Sequence, residues 1–239
     1  MSLIVVTGAT GTLGRLLVPE LILAGHQVRA MTRRQGKVSH RGATEVVADV
    51  LDEASLVAAV QGADTIVHLA SNPGRKAART EIDGTRKLLT ARDPGTALIY
   101  LSIVGCDRTP FAYYRAKTAA EALVRAAPDA TVIRATQFHS LVRLLLAPRL
   151  GGRAIAPAGL RLQPVDPEYV AQVLVDAVRD PSAAPTEVGG PEQLDIAELA
   201  RRHTGHAPLP LPLPIPLVQA VRRGTLLAGP SALTGGAPF

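Results

Sequence analysis

Tyr113 and Lys117 stand at positions i and i+4, and Ser102 ends the apolar run from Thr96 to Leu101 that precedes them. On a helix the first two lie one turn apart on the same face. A phenol titrates near ~10, too high for ready proton exchange at neutral pH. A neighbouring ammonium favours the phenolate and lowers that value. Such a tyrosine can give a proton to a carbonyl oxygen as a hydride reaches its carbon, or take one back in the reverse direction. A serine hydroxyl at a strand end can hold the same oxygen. The plainer reading is an amphipathic helix with Tyr113 packed and Lys117 solvated. Tyr114, the next residue along, competes for the role of Tyr113.

A hydride must come from a carrier, and the amino terminus offers a seat for one. Leu3 to Val6 is a continuous apolar run rich in β-branched residues, the pattern of a strand buried on both faces. Thr7, Gly8, Thr10, Gly11, Thr12, Leu13 and Gly14 follow, with the glycines spaced Gly-x-x-Gly-x-x-Gly. A helical pattern then runs from Thr12 to Ala24 and is closed by Gly25. Strand, glycine turn and helix N-terminus together cradle a pyrophosphate, because bare backbone approaches closely and free N–H groups point at the anion. A second strand, His26 to Met31, ends in Thr32, Arg33 and Arg34. In such a unit this end faces the adenosine ribose. Two guanidinium groups there suit a 2′-phosphate, so NADP(H) is expected over NAD(H). The alternative is a pair of solvated loop arginines.

Further strands are expected over Ala43–Ala48, Asp64–Ala70, Thr96–Leu101 and Ala130–Arg134. Between them helices are read over 53–60 (capped by Asp52), 79–90, and from Phe111 or Ala112 to Ala126. Asp49 either reaches the adenine amino group, with Val50 against the ring, or caps a turn. Ala70 and Ser71 leave the fourth strand where ligands of open α/β sheets sit, and Lys117 is placed to hydrogen-bond the nicotinamide ribose. His68, inside that strand, reads as a satisfied core histidine. Phe138 and His139 leave the sixth strand beside the nicotinamide and are candidate substrate contacts, with packing the alternative for His139. The pattern is an α/β, Rossmann-type, doubly wound parallel sheet flanked by helices. Residues 1–136 form the NADP-binding core. Residues 137–239 form a smaller substrate-binding region, packed partly back onto it. In that region helices are expected over 140–147, 168–179 and 196–202, the last capped by Asp195. Pro208 to Pro216 alternates proline with large apolar residues. It reads as an extended strap with Pro216 starting a helix, or else as a proline-rich recognition ligand. The tail from Gly229 to Phe239 is expected to be loosely held.

The chain has 239 residues, 47% of them apolar, no Trp and a net charge of +6. The arginines are scattered, which argues against a nucleic-acid surface. Cys106 is the single cysteine, so no internal disulfide forms and a reducing compartment fits. No charged leader precedes the first strand and no uncharged apolar run reaches the ~18 residues of a membrane helix. A cytoplasmic protein with a small-molecule substrate, no membrane or nucleic-acid partner and no metal is expected.

With these motifs in hand, residues 1 to about 136 resemble the short-chain dehydrogenase/reductase superfamily. The likeness rests on Thr7 to Gly14, Asp49-Val50, Ser102 and Tyr113 to Lys117. Leu101 to Gly105 and Arg134 to His139 are similar to its NmrA-like, NAD(P)H-binding branch, often labelled sugar-nucleotide-epimerase-like. The resemblance implies NADP(H), catalytic roles for Ser102, Tyr113 and Lys117, and a small carboxyl-terminal substrate-binding part. The expected activity is NADPH-dependent reduction of a carbonyl or quinone-like small molecule. A non-catalytic NADP(H)-sensing regulator is the alternative, with a nucleotide-sugar epimerase behind it.

Overall fold

The computed structural model describes residues 1–38 and 40–239. In chain order the elements of the first half are β1 (Leu3–Thr7), α1 (Gly14–Leu23), β2 (Gln27–Thr32), β3 (Ala43–Val47), α2 (Glu53–Val60), β4 (Thr65–His68), α3 (Gly84–Ala91, entered through a π-helical turn at Arg79–Asp83), β5 (Ala97–Ile103), α4 (Ala112–Arg125) and β6 (Ala130–Ala135). The second half adds α5 (His139–Leu145), β7 (Arg149–Leu150), β8 (Arg153–Pro157), β9 (Arg161–Leu162), α6 (Pro167–Arg179), β10 (Glu187–Gly189), β11 (Leu194–Asp195), α7 (Ile196–Thr204), β12 (Leu209–Leu211), α8 (Pro216–Arg222) and β13 (Leu233–Thr234).

Eight strands make one sheet in the order β13-β10-β6-β5-β4-β1-β2-β3, and every pairing in it is parallel. The order reverses between β1 and β4, which opens a crevice at their carboxyl ends. Ile4 and Val6 face α1 and α6, packing with Leu17, Leu21, Val170 and Leu174. Val5 faces the other way, onto Leu56, Leu88 and Val124 of α2, α3 and α4. Alternation of large apolar groups to both faces is what a continuous Leu-Ile-Val-Val run supplies.

Several expectations are corrected at this level. Helix α1 starts at Gly14 rather than Thr12, because the glycine turn occupies residues 8 to 11 with a Gly11 N–H to Gly8 carbonyl bond of 2.9 Å. Asp52 stands ahead of α2 but makes no side-chain cap bond, whereas Asp195 accepts the Glu198 N–H at 2.7 Å and caps α7 as expected. Pro216 begins α8, and the proline strap pairs through β12 with β8 in a small separate sheet. The tail is not loosely held. Leu233–Thr234 is the outermost strand of the main sheet, paired with β10. Gly235 and Gly236 lie so close to Tyr169 that a Cβ on either would come within 2.7 Å of its side chain. Residues 137–239 thus give the sheet β10 and β13, and give α6 to its helical cover. Among the described residues no helix is long and apolar enough to cross a membrane.

Candidate active site

Gly8 adopts φ +67°, and a Cβ there would sit 2.8 Å from the Ala70 nitrogen. A Cβ on Gly14 would lie 2.6 Å from the Ala9 Cα, so only glycine lets α1 begin against the turn. The first helical bond runs from the Arg15 N–H to the Gly11 carbonyl at 3.1 Å. The amides of Thr12, Leu13 and Gly14 lie ahead of it as donors for an anion. The Leu13 side chain is buried, so this residue serves through its backbone. Thr7 is also buried. Its hydroxyl accepts the N–H groups of Leu69 and Ala70 at 3.1 Å each and meets His68 Nδ1 at 2.7 Å. It therefore ties β1 to β4 at the crevice floor. His68 is the core histidine the sequence suggests, with Nε2 3.2 Å from Thr85 Oγ1. Burial holds its pKa down at about 4, so the ring is neutral.

From this cradle a cavity of about 460 Å³ extends along Thr10, Asp49, Val50, Ala70 and Ser71. Asp49 Oδ1 accepts the Leu51 N–H at 2.9 Å, a turn bond, while the residue also lines the cavity. A second cavity of about 530 Å³ is walled by Thr10, Arg15, Thr32, Arg33, Arg34 and Lys37. Among the described residues, four cations and no carboxylate line it. A backbone cradle that side chains would block, free amides and a basic recess together fit a phosphorylated dinucleotide.

Beyond Ser71 the site is organised on one buried carboxylate. The Ser71 hydroxyl donates to Glu81 Oε1 at 2.7 Å and lies 2.6 Å from the Tyr113 hydroxyl. With the serine proton committed, the phenol donates to Ser71. Glu81 also accepts the Asn72 N–H at 3.1 Å and the Tyr100 hydroxyl at 3.1 Å, and pairs with Lys117 at 3.3 Å. Lys117 Nζ donates to the Leu101 carbonyl at 2.8 Å and sits 4.2 Å from the centre of the Tyr100 ring. Burial works against the Glu81 carboxylate, but Lys117, Ser71 and the Asn72 amide outweigh it and leave its pKa below the ordinary value. Burial lowers that of Lys117, against the pull of Glu81.

This differs from the expected phenol–ammonium couple. Lys117 spends its charge on Glu81, with its nitrogen buried. Burial and the Glu81 charge then raise the Tyr113 pKa, where a facing ammonium was expected to lower it. Ser102 is not brought to Tyr113 either. It is buried, with Oγ 3.8 Å from Cys106 Sγ, in a group where Arg134 Nε donates to Glu121 Oε1 at 2.8 Å. Side chains two apart on a strand share a face, so Tyr100 and Ser102 both meet α4, yet each is claimed by a different carboxylate. Tyr114 packs toward the carboxyl-terminal core, its pKa raised by burial to about 12. Phe138 bridges Val165, and the buried His139 ring meets Phe239 edge-on at 5.4 Å. Sequence reading does not reach Glu81. Its signal is periodicity: Glu81, Thr85 and Leu88 all point inward, and an acid on an apolar stripe marks a buried pair.

Residues 8–181 match the NAD(P)H-binding family, and the chain belongs to it. A segment of 78 residues is 42% identical to L-arabinose 1-dehydrogenase (NAD(P)(+)) of Haloferax volcanii, covering 33% of this chain and 29% of that protein. The chain therefore matches under a third of that curated relative. The fold superposes on a Staphylococcus aureus nucleoside-diphosphate-sugar epimerase with a TM-score of 0.77 at 18% identity, covering 96% of this chain and 92% of the other. It also superposes on the Escherichia coli NADPH-dependent quinone oxidoreductase solved with NADPH, with a TM-score of 0.74 at 18% identity and coverage of 94% and 91%. Family and fold agree with the resemblance to short-chain dehydrogenases, and the chain binds NAD(P)H.

Proposed function

We propose that this protein is an NADPH-dependent oxidoreductase that reduces a carbonyl or quinone-like small molecule. The observation that carries the reading is the chain Tyr113–Ser71–Glu81–Lys117, whose serine lines the dinucleotide cavity. When bound, the cofactor supplies the hydride. The amides of Thr12 to Gly14 hold the pyrophosphate, Arg33 and Arg34 the 2′-phosphate, and Asp49 with Val50 the adenine. Tyr113 donates the proton to the substrate oxygen. Its raised pKa keeps the phenol protonated at neutral pH, and an alkoxide is the stronger base, so the transfer runs toward the alcohol. Ser71 holds the phenol in place through its oxygen, its own proton committed to Glu81. Glu81 and Lys117 are positioning residues that fix Ser71. Phe138 and His139 border the substrate from the carboxyl-terminal side.

Tyr113→Phe is expected to lower turnover by roughly 10²- to 10⁴-fold with NADPH affinity kept. Unchanged turnover removes Tyr113 from the mechanism. The regulator reading is favoured by one fact, that Lys117 faces Glu81 rather than the cavity. It predicts tight NADPH binding and no NADPH oxidation in single turnovers with simple quinones and aldehydes.

A further inference from the structure

The segment between β2 and β3 carries Arg33, Arg34 and Lys37, and its described residues form no helix or strand. Exposed cations on such a loop would lose much of their binding energy to ordering entropy unless the loop were held. Glu45 of β3 holds it. Oε2 accepts the Gly36 N–H at 2.8 Å, and Oε1 accepts those of Lys37 at 2.8 Å and Val38 at 3.2 Å. Gly36, at φ +71°, is where the chain bends back to offer these amides. Oε1 also lies 3.5 Å from the Thr32 hydroxyl, which donates to the Arg34 carbonyl at 2.7 Å and accepts the Arg34 N–H at 3.3 Å.

We propose that Glu45 is a positioning residue for cofactor choice: it folds residues 33–38 into a receptacle for the 2′-phosphate and so sets the preference for NADP(H) over NAD(H). The inference rests on the NADP(H) reading above. An acid at the end of the second strand would ordinarily serve an unphosphorylated ribose hydroxyl. Here that end carries Arg33 and Arg34, and Glu45, on the neighbouring β3, has both oxygens taken by backbone amides. Charge-assisted bonds from three donors also offset the negative charge that would oppose an incoming phosphate.

The test is calorimetric titration of wild type, Glu45→Ala and Glu45→Gln with NADPH, NADH, adenosine 2′,5′-bisphosphate and 5′-AMP, with hydrogen exchange followed at residues 36–38. Glu45→Ala is expected to weaken NADPH and the bisphosphate by about 10- to 100-fold. NADH and 5′-AMP should stay within about twofold, which also shows that the fold survives. Exchange at residues 36–38 should speed up. Glu45→Gln should fall between, since its carbonyl oxygen can still accept from Lys37 and Val38 while its NH₂ cannot accept from Gly36. Equal loss for all four ligands, preferential loss of NADH, or tighter NADPH binding in Glu45→Gln would overturn the proposal. A wild type that binds 5′-AMP as well as the bisphosphate refutes the NADP(H) reading itself, and this inference falls with it.

Discussion

Helix α4 carries Lys117 and Glu121 one turn apart, and each meets a partner of opposite charge from elsewhere in the chain. Lys117 meets Glu81 at 3.3 Å, and Glu121 meets Arg134 at 2.6 Å. Each carboxylate also gathers a strand-β5 side chain and a nearby hydroxyl or thiol: Tyr100 and Ser71 at Glu81, Ser102 and Cys106 at Glu121. The composition is alike and the surroundings are not. The Glu81 group is sealed, with side chains of Lys117 and Glu81 exposed by only 4% and 0%. Its hydroxyl end opens through Ser71 into the cavity beside the glycine turn. The Glu121 group reaches water through Arg134, 15% exposed, which also meets the half-exposed Asp107. The lesson is that a buried ion pair becomes a candidate chemical device only where its hydrogen-bonded end opens into a binding space. Elsewhere the same residues are a brace.

The largest separation between the two should come from removing one partner of each. Glu81→Ala leaves Lys117 buried and uncompensated, and is expected to cost roughly 3–5 kcal/mol in denaturant unfolding. Glu121→Ala leaves an arginine that can turn toward Asp107 and water, so about half that loss is expected. Equal losses would erase the distinction between sealed and open groups.

A pH titration sharpens the point, because His68 packs against Tyr100 at 5.4 Å beside the sealed group. Its folded pKa of about 4 lies below the ordinary 6.5. The unfolded chain therefore binds more protons between those values, and stability falls as pH drops through that window. The loss amounts to roughly 3 kcal/mol by pH 4, measured by urea unfolding across the range. Glu81, also depressed, is ionised above its unfolded value, so its contribution is lost only as pH falls further, through its own folded pKa. A flat stability curve from pH 6.5 to 4 would show His68 to be solvated.

The smallest contrast concerns the two serines. Ser71→Ala should lower turnover by roughly 10-fold or more, since it removes the hydroxyl next to the phenol. Ser102→Ala should leave kcat within about twofold, because its oxygen stays on the Glu121 side. The reverse ranking would restore Ser102 as the oxygen clamp and remove Ser71.

Much of this was legible along the chain. The glycine cradle, the parallel strands and α4 follow from local patterns: β-branched runs, glycine where no Cβ fits, and apolar residues repeating at helical spacing. Backbone sterics act within a few residues, so local composition set where the glycine cradle forms and that Tyr113 and Lys117 share a helix face. Tertiary structure alone decided what those side chains touch. Ser71 lies 42 positions from Tyr113, and Glu81 enters from another helix, so no spacing rule links them. The two-residue strand β13 has no periodic signal of its own and exists because β10 offers it an edge. Partner choice among buried charges is settled by which groups share a dry space, and that is a property of the packed chain.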